Sequence, residues 1–99
     1  MKSALGPWSN EDGNRFDMKK WVVYMLRCKG GSLYTGMTND LASRIKKHNL
    51  GDGAKYTRSR RPVKLVWSEN KRSESAARRR EAQIKSWPRE KKLALIKSS

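Results

Sequence analysis

The stretch KKWVVYMLRCKGGSLYTGMTNDLASRIKKH, residues 19–48, decides the fold that we predict for this chain. Its apolar run WVVYMLRC, at 21–28, is rich in β-branched and aromatic residues and too short for most helices, so it predicts a central strand buried on both faces. The residues KGGS at 29–32 are typical of a turn, and LYTGM at 33–37 predicts the returning strand. Together these segments predict a β-hairpin.

Two tyrosines lie on this hairpin. If the turn centres near Gly30, Tyr24 lies opposite Gly36, and Tyr34 is a diagonal neighbour. Both hydroxyl groups then reach one face of the sheet, and Gly36 leaves space beside them. Taken alone, the pair is more simply explained by the general preference of tyrosine for strands.

The residues TNDLASRIKKHNLG, at 38–51, predict a helix with signals at both ends. Thr38 or Asn39 can cap its start, and Asp40 suits the first turn. Gly51 suits the position just after the end, where a left-handed backbone is common.

The second half of the chain predicts one more strand and two long helical segments. Residues 51–62 predict a loop or a short helical turn, and VKLVW at 63–67 predicts a strand. Residues 73–87 predict a helix that ends before Pro88, and 89–97 predict a short final helix. The fold class is therefore α/β, in the α+β arrangement: a small three-stranded antiparallel sheet flanked by helices, in the order β-β-α-(α)-β-α-α.

Charge is the strongest signal in the composition. Of 99 residues, 24 are Lys or Arg and nine are Asp or Glu, which gives a formal net charge of +15. Such a surplus opposes compaction by self-repulsion and is common in proteins that bind nucleic-acid phosphates. Ribosome-bound proteins and proteins of anionic membrane surfaces are the alternatives. Residues 1–18 lack periodicity and predict a flexible tail, whereas residues 19–97 predict a single domain.

The cysteine and histidine content excludes two kinds of site. Cys28 is the only cysteine and His48 the only histidine, so an internal disulfide and the usual zinc clusters of about four ligands are excluded. No apolar run reaches the ~18 residues of a membrane span, and no signal peptide is evident. We therefore expect a cytoplasmic protein that does not bind membranes.

The predicted helix at 38–51 carries polar residues beside its apolar stripe. Leu41, Ile45 and His48 share that stripe, and Arg44 lies at its edge. Contact with the sheet would bring both polar side chains to the rim of the contact. On burial statistics alone, a packed histidine and an arginine with a buried stem are the simpler interpretation.

The helix at 73–87 carries a carboxylate in a similar place. Ala77, Glu81 and Ile84 are spaced i, i+4, i+7, so Glu81 belongs to the apolar stripe. A carboxylate directed to a core is costly unless it meets a cation or a metal ion. An exposed i, i+4 pair with Lys85 is the other interpretation, and the spacing does not decide between them.

The tyrosine motifs and three later residues follow one another in a recognisable order. VYM at 23–25 is followed by YTG at 34–36, then by Arg44 and His48 on one helix and Glu81 on another. In this order and spacing they resemble the GIY-YIG nuclease family, over nearly the whole predicted domain. The chain is most similar to the stand-alone, single-domain bacterial members.

The resemblance implies a set of catalytic residues. Family members hydrolyse phosphodiesters with one divalent ion, Mg²⁺ or Mn²⁺, held by a glutamate that corresponds here to Glu81. Tyr34 or Tyr24 would position or deprotonate the attacking water, with nearby positive charge lowering a tyrosine pKa of about 10. Arg44 would stabilise charge on the phosphate, and His48 would accept the tyrosine proton.

The chain departs from the family pattern at a few positions. Val23 and Met25 replace the Gly and Tyr of the first motif, and Met37 stands where some repair nucleases have lysine. Many relatives have an asparagine after the glutamate, but this chain has none beyond Asn70.

Basic residues around the predicted site suit a nucleic-acid substrate. Side chains of this kind neutralise phosphates and carry little sequence information, and one tyrosine can stack on a base. A solvated basic surface is the other interpretation. The expected contacts are Lys46, Lys47, Lys55, Tyr56, Arg58, Arg60, Arg61 and Arg78.

Three functions are weighed. The leading one is a metal-dependent endonuclease that cuts DNA, structure-selective or non-specific, in repair or recombination. Branched or single-stranded DNA is among the expected partners, RNA ranks below DNA, and a protein partner is left open. The alternatives are a non-catalytic DNA- or RNA-binding module on the same fold and a ribosome-associated or RNA-assembly protein.

Overall fold

The computed structural model describes residues 20–98, so the predicted flexible tail lies outside the described residues. The strands are β1 (Trp21–Arg27), β2 (Leu33–Thr38) and β3 (Lys64–Lys71). They form one antiparallel sheet in the spatial order β2-β1-β3. The helices are α1 (Leu41–Leu50), α2 (Lys55–Arg58), α3 (Glu74–Lys85) and α4 (Arg89–Lys97). The predicted fold class and element order are confirmed.

The hairpin register places the tyrosines as predicted. Tyr24 lies opposite Gly36 and Leu26 lies opposite Tyr34, so the two tyrosines are diagonal neighbours on one face. The connection contains Gly30 and Gly31, whose φ angles of 91° and 94° are left-handed values that glycine adopts without a steric penalty.

Strand β1 is central and contributes alternate side chains to two apolar clusters. Val23 and Met25 belong to the cluster on the α3 and α4 face of the sheet, together with Trp67, Ala77 and Ile84. Tyr24 and Leu26 belong to the cluster on the other face, and the remaining members of that cluster are Cys28, Val63, Tyr34, Leu41 and Ile45. The site therefore begins on the face that α1 covers.

Helix α1 begins one step later than the sequence predicts. Its N-cap is Asp40, whose Oδ1 accepts a hydrogen bond from the backbone N–H of Ser43 at 3.2 Å, so the predicted cap at Thr38 or Asn39 is wrong. Thr38 instead accepts a hydrogen bond from the Asp40 N–H at 3.0 Å. The end at Gly51, with φ of 93°, is confirmed.

Strand β3 is longer than its apolar run. The polar residues 68–71 continue the ladder as partners of 21–24, because an edge strand can expose one face to water. Helix α3 then starts at the N-cap Ser73, whose Oγ accepts from the Ala76 N–H at 3.1 Å, and it ends at Lys85 rather than Trp87. Between residues 20 and 98, no helix combines the length and apolar character that crossing a membrane requires.

Candidate active site

A hydrogen bond between two enclosed side chains forms the centre of the site. Tyr24 Oη lies 2.9 Å from Nε2 of His48, and the two residues are 1% and 0% exposed. Strand β1 positions the tyrosine, and the third turn of α1 positions the histidine beside Leu41 and Ile45. The apolar stripe of α1 thus carries the only histidine of the chain onto the tyrosine, and His48 is fully buried there rather than at the rim of the contact, where the spacing predicted it.

The second ring nitrogen of His48 also has a partner. Nδ1 lies 2.8 Å from Oγ1 of Thr57, a fully buried residue of α2. Thr57 Oγ1 in turn donates to the backbone carbonyl of Ala54 at 3.1 Å. Gly53 packs against the same imidazole, and a Cβ atom there would lie 2.6 Å from its Cγ. The segment 51–62 therefore closes the site around the histidine.

Burial changes the pKa values of both groups. Desolvation and the neighbouring Tyr34 raise the pKa of the Tyr24 phenol to about 12, against the opposing effect of Arg44. Glu81 raises the same pKa through its negative charge, so its carboxylate acts on this hydroxyl. Desolvation lowers the pKa of His48 below 6.5, and the positive charge of Arg44 lowers it further. The imidazole of His48 is therefore mainly neutral at neutral pH.

Arg44 lies beside this pair and carries a buried donor that nothing satisfies. Its Nε has no hydrogen-bond partner among the described residues, which is costly for a buried N–H group. The side chain also lines a cleft of about 280 Å³ with Asp40, Ser43 and Lys47. Arg44 thus combines a buried donor without a partner among the described residues and a position at the edge of this cleft.

The side chain of Glu81 is both mostly buried and paired with Lys85, so the two interpretations of its sequence position each hold in part. Its side chain is 19% exposed, between the buried residues Ala77 and Ile84, and Oε2 lies 3.2 Å from Nζ of Lys85. The carboxylate is thus drawn toward the core and also paired with the exposed lysine one turn later. Its negative charge is the smallest of the influences on the pKa of Tyr24, and its helix neighbours Ala77 and Ile84 pack against the opposite face of the sheet.

Tyr34 connects the centre of the site to its basic surroundings. Its ring meets the His48 ring edge-on with centroids 5.2 Å apart, and it stacks on Tyr56 at 5.9 Å. The guanidinium of Arg60 covers the Tyr56 ring at 4.0 Å. Tyr56 is 40% exposed but lies between two partners, so stacking on a base would require Arg60 to move away.

The other predicted nucleic-acid contacts lie mostly at the surface. Three arginines of the α2 segment use part of their guanidinium groups to hold backbone carbonyls: Arg58 donates to Gly51, Arg60 to Tyr56 and Arg61 to Arg58. Arg78 is exposed but forms a 2.7 Å ion pair with Glu74. Lys46, Lys47 and Lys55 are exposed.

The amino-acid sequence that forms this site matches a known protein family. The family model of the GIY-YIG catalytic domain matches residues 20–94. The chain belongs to the GIY-YIG family. The matched span includes all five predicted catalytic residues, and the predicted resemblance is confirmed. GIY-YIG domains are typically nucleases that act on DNA and are generally dependent on divalent metal ions.

Several relatives of this GIY-YIG chain are similar over most of their length. The UPF0213 protein of Staphylococcus saprophyticus is 53% identical over 79 residues, which cover 80% of this chain and 96% of that protein. The UPF0213 protein of Staphylococcus aureus strain Mu50 is 51% identical over 80 residues, covering 81% and 98%. The solution NMR structure of a UPF0213 protein from Bacillus halodurans has 46% identity and a TM-score of 0.54, covering 81% of this chain and 85% of that chain.

The residues present fit one weakly held divalent ion of the kind GIY-YIG nucleases use. Among residues 20–98, no three His, Cys, Asp or Glu side chains form a ligand cluster, so an ion held by Glu81 would need water molecules and substrate phosphates as its other ligands. Mg²⁺ typically keeps several waters and binds one or two carboxylates plus substrate phosphates, so one partly exposed glutamate is sufficient. Lys85 now balances this charge and would have to give way.

Sequence reasoning missed two residues of this GIY-YIG site, Thr57 and Gly53. Both lie in the polar, basic segment 51–62, where no apolar periodicity marks a buried position. The signal that could have found them is chemical: a buried histidine requires a partner on each ring nitrogen, and a nearby threonine can supply one.

Proposed function

We propose that this protein is a divalent-metal-dependent endonuclease that hydrolyses phosphodiester bonds of DNA, in repair or recombination. The observation that carries the proposal is the buried hydrogen bond from Tyr24 to His48, with Arg44 and Glu81 both acting on the phenol. A merely structural tyrosine does not need a neutral histidine at hydrogen-bond distance with an arginine beside it. These are the groups that activating a water molecule and stabilising a phosphate require.

Tyr24 is the base in this proposal, because its hydroxyl contacts the proton acceptor. A phenol with a pKa of about 12 holds its proton at neutral pH, so it must pass that proton on as it takes one from water. His48, neutral and 2.9 Å away, is the acceptor.

Arg44 and Glu81 would act on the phosphate. The orphan Nε–H of Arg44 is suited to donate to a phosphate oxygen, where negative charge grows in the transition state. Glu81 would hold the divalent ion, which when bound supplies positive charge to the leaving oxygen. Tyr34 would then have a positioning role, because its ring contacts both His48 and Tyr56.

The substrate side of the site is built for a phosphate backbone. The arginines of residues 51–62 and the lysines of α1 carry donors that match phosphate oxygens and read no base edges. We therefore expect the protein to select DNA by shape or not at all, with branched and single-stranded forms among the candidates.

The test compares wild type with Glu81→Gln and the matched control Glu74→Gln, which removes the same charge from the same helix. Labelled single-stranded, duplex, flap and branched DNA are incubated with Mg²⁺ or Mn²⁺. Wild type and Glu74→Gln should cut, whereas Glu81→Gln should lose cleavage by at least about a hundredfold. Glu81→Gln should retain DNA binding, since loss of a negative charge favours it. Equal cutting by all three variants would overturn the proposal.

A non-catalytic DNA- or RNA-binding module is the second candidate. The ion pair between Lys85 and Glu81 favours it, because a lysine already occupies the carboxylate that a metal ion would need. In the same experiment, binding by all three variants with cleavage by none would select this function.

A further inference from the structure

Thr57 occupies a position that the proposed chemistry has not yet used. Its hydroxyl is fully buried and lies 2.8 Å from Nδ1 of His48, on the far side of the ring from Tyr24. The residue belongs to α2, in the segment that also carries the predicted phosphate contacts Lys55 and Arg58. A role of Thr57 in catalysis rests on the proposed function, whereas its effect on the protonation of His48 does not.

The hydrogen-bond geometry fixes where the imidazole proton lies. Thr57 has one hydroxyl proton, and Oγ1 donates it to the carbonyl oxygen of Ala54 at 3.1 Å. A carbonyl oxygen only accepts, so the hydroxyl is the donor in this bond, at an oxygen that also accepts from the Arg58 N–H at 3.1 Å. With the hydroxyl proton in that bond, Thr57 acts as acceptor toward His48, and Nδ1 carries the imidazole proton.

The other nitrogen follows from the first. A neutral imidazole with its proton on Nδ1 has a lone pair on Nε2, and that atom lies 2.9 Å from the Tyr24 hydroxyl. Tyr24 must therefore donate to His48. When water gives a proton to Tyr24 Oη, the phenolic proton moves to Nε2, and the resulting imidazolium keeps its Nδ1–H bond to Thr57.

We propose that Thr57 is a positioning residue that fixes His48 in the tautomer able to accept the proton of Tyr24. With the opposite tautomer, Nε2–H would donate to the phenol, and the tyrosine proton would have no acceptor. The hydroxyl of Thr57 selects between these two states through one hydrogen bond to a carbonyl oxygen of its own segment.

A structural role alone explains Thr57 poorly, because another residue already anchors this segment to α1. Asn49 donates from Nδ2 to the Val63 carbonyl at 3.2 Å and accepts from the Val63 N–H at 2.8 Å. Asn49→Ala is therefore the matched control: it removes an anchor next to His48 and leaves the ring partners in place.

The test uses the fact that His48 is the only histidine, so ¹⁵N-labelled histidine gives a single imidazole spectrum. Wild type should show a protonated Nδ1 and an unprotonated Nε2 at neutral pH. Thr57→Val keeps the side-chain shape but leaves Nδ1–H without an acceptor, which should shift the tautomer ratio about tenfold or more toward Nε2–H. Thr57→Ser should have the wild-type tautomer of His48. Asn49→Ala should lower the thermal stability but leave the tautomer of His48 unchanged.

Cleavage assays give the functional readout. Thr57→Val should lower turnover by about ten- to a hundredfold with unchanged DNA affinity, and Thr57→Ser should restore it. A wild-type spectrum with Nε2–H would overturn the proposal even if Thr57→Val fails to fold, as would an unchanged tautomer in folded Thr57→Val. If wild type shows Nδ1–H but cuts no DNA, the proposed function fails while the assignment of Thr57 to the histidine stands.

Discussion

Gly36 lies so close to Tyr24 that a Cβ atom at position 36 would be 2.6 Å from the phenolic oxygen and 2.8 Å from Cζ. The same atom would lie 3.1 Å from Cε2 of Tyr34. The Tyr24 ring is 1% exposed and packed on all sides, so it has little room to give way. Glycine is therefore needed here for the close approach of β2 to two tyrosine rings.

Gly36→Ala should displace Tyr24 from His48. Overpacking of this kind costs about 1–3 kcal/mol of folding free energy, and loss of the hydrogen bond should lower cleavage by about tenfold or more. Gly30→Ala is the control, because a Cβ there meets nothing within 4 Å and the cost, about 1–2 kcal/mol, comes from its positive φ alone. Thermal unfolding and cleavage are measured for both. Wild-type cutting by Gly36→Ala would contradict the role given to Tyr24.

The pKa of His48 should lie below 6.5 in an NMR titration. Arg44→Gln should raise this pKa but leave it below 6.5, because burial is the larger cause of the shift. Lys47→Gln removes the same charge from an exposed position on α1 and should change the pKa less. A wild-type pKa at or above 6.5 would contradict this prediction.

The same pKa fixes the acid side of the stability curve. Below pH 6.5 His48 is protonated in the unfolded chain but stays neutral in the native state. The free energy of unfolding therefore decreases as the pH falls from 6.5 to the native pKa of His48. Arg44→Gln should narrow the pH range over which stability is lost, because it raises the native pKa of His48 toward 6.5. Cleavage should decline over the same acidic range as the native pKa of His48, since a protonated imidazole cannot accept the tyrosine proton.

Lys85→Ala should make Glu81 easier for a divalent ion to occupy. An exposed i, i+4 pair is worth about 0.5 kcal/mol, so the Mg²⁺ concentration for half-maximal cleavage should fall by about two- to threefold. Arg78→Ala breaks the equivalent pair with Glu74, two turns earlier on α3, and should leave the metal requirement unchanged. Equal shifts in the two variants would show a general charge effect instead.

Lys47→Ala should weaken DNA binding and reduce the salt dependence of the binding constant by about one phosphate contact. Lys47 lines the cleft of Arg44 on α1 and is exposed. Lys97→Ala removes the same charge from α4, a helix that packs against the other face of the sheet, and should have little effect. Fluorescence anisotropy with one labelled duplex at several salt concentrations measures both slopes. The assigned interface would be wrong if the two slopes changed equally.

Much of the fold was predictable because its strongest signals are local. The apolar run of β1, the glycine turn and the helix punctuation specify the hairpin and α1, and the hairpin then fixes the pairing of Tyr24 with Gly36. The ends of elements were less predictable. Asp40 rather than Thr38 caps α1, because several polar residues in a row can each supply the capping oxygen.

The site was only partly predictable, because its two halves carry different signals. His48 stands out in the sequence as a polar residue on an apolar stripe, so its burial could be predicted. The role of Thr57 could not be predicted, because nothing in the sequence distinguishes it from an exposed threonine. Only the fold places its hydroxyl beside His48. Glu81 shows the limit of periodicity, which placed its backbone correctly but could not choose between a core carboxylate and a pair with Lys85.

The alternation along β1 has a consequence for how such proteins diverge. Val23 and Met25 pack in one layer, while Tyr24, one position away in the chain, packs in the other and is the base in the proposed reaction. A lineage can therefore exchange the tyrosine for a side chain of similar volume and keep the layer that α3 and α4 cover. Inheritance of the scaffold and inheritance of the reaction are separable, and descendants that have lost catalysis would persist as folded, positively charged proteins.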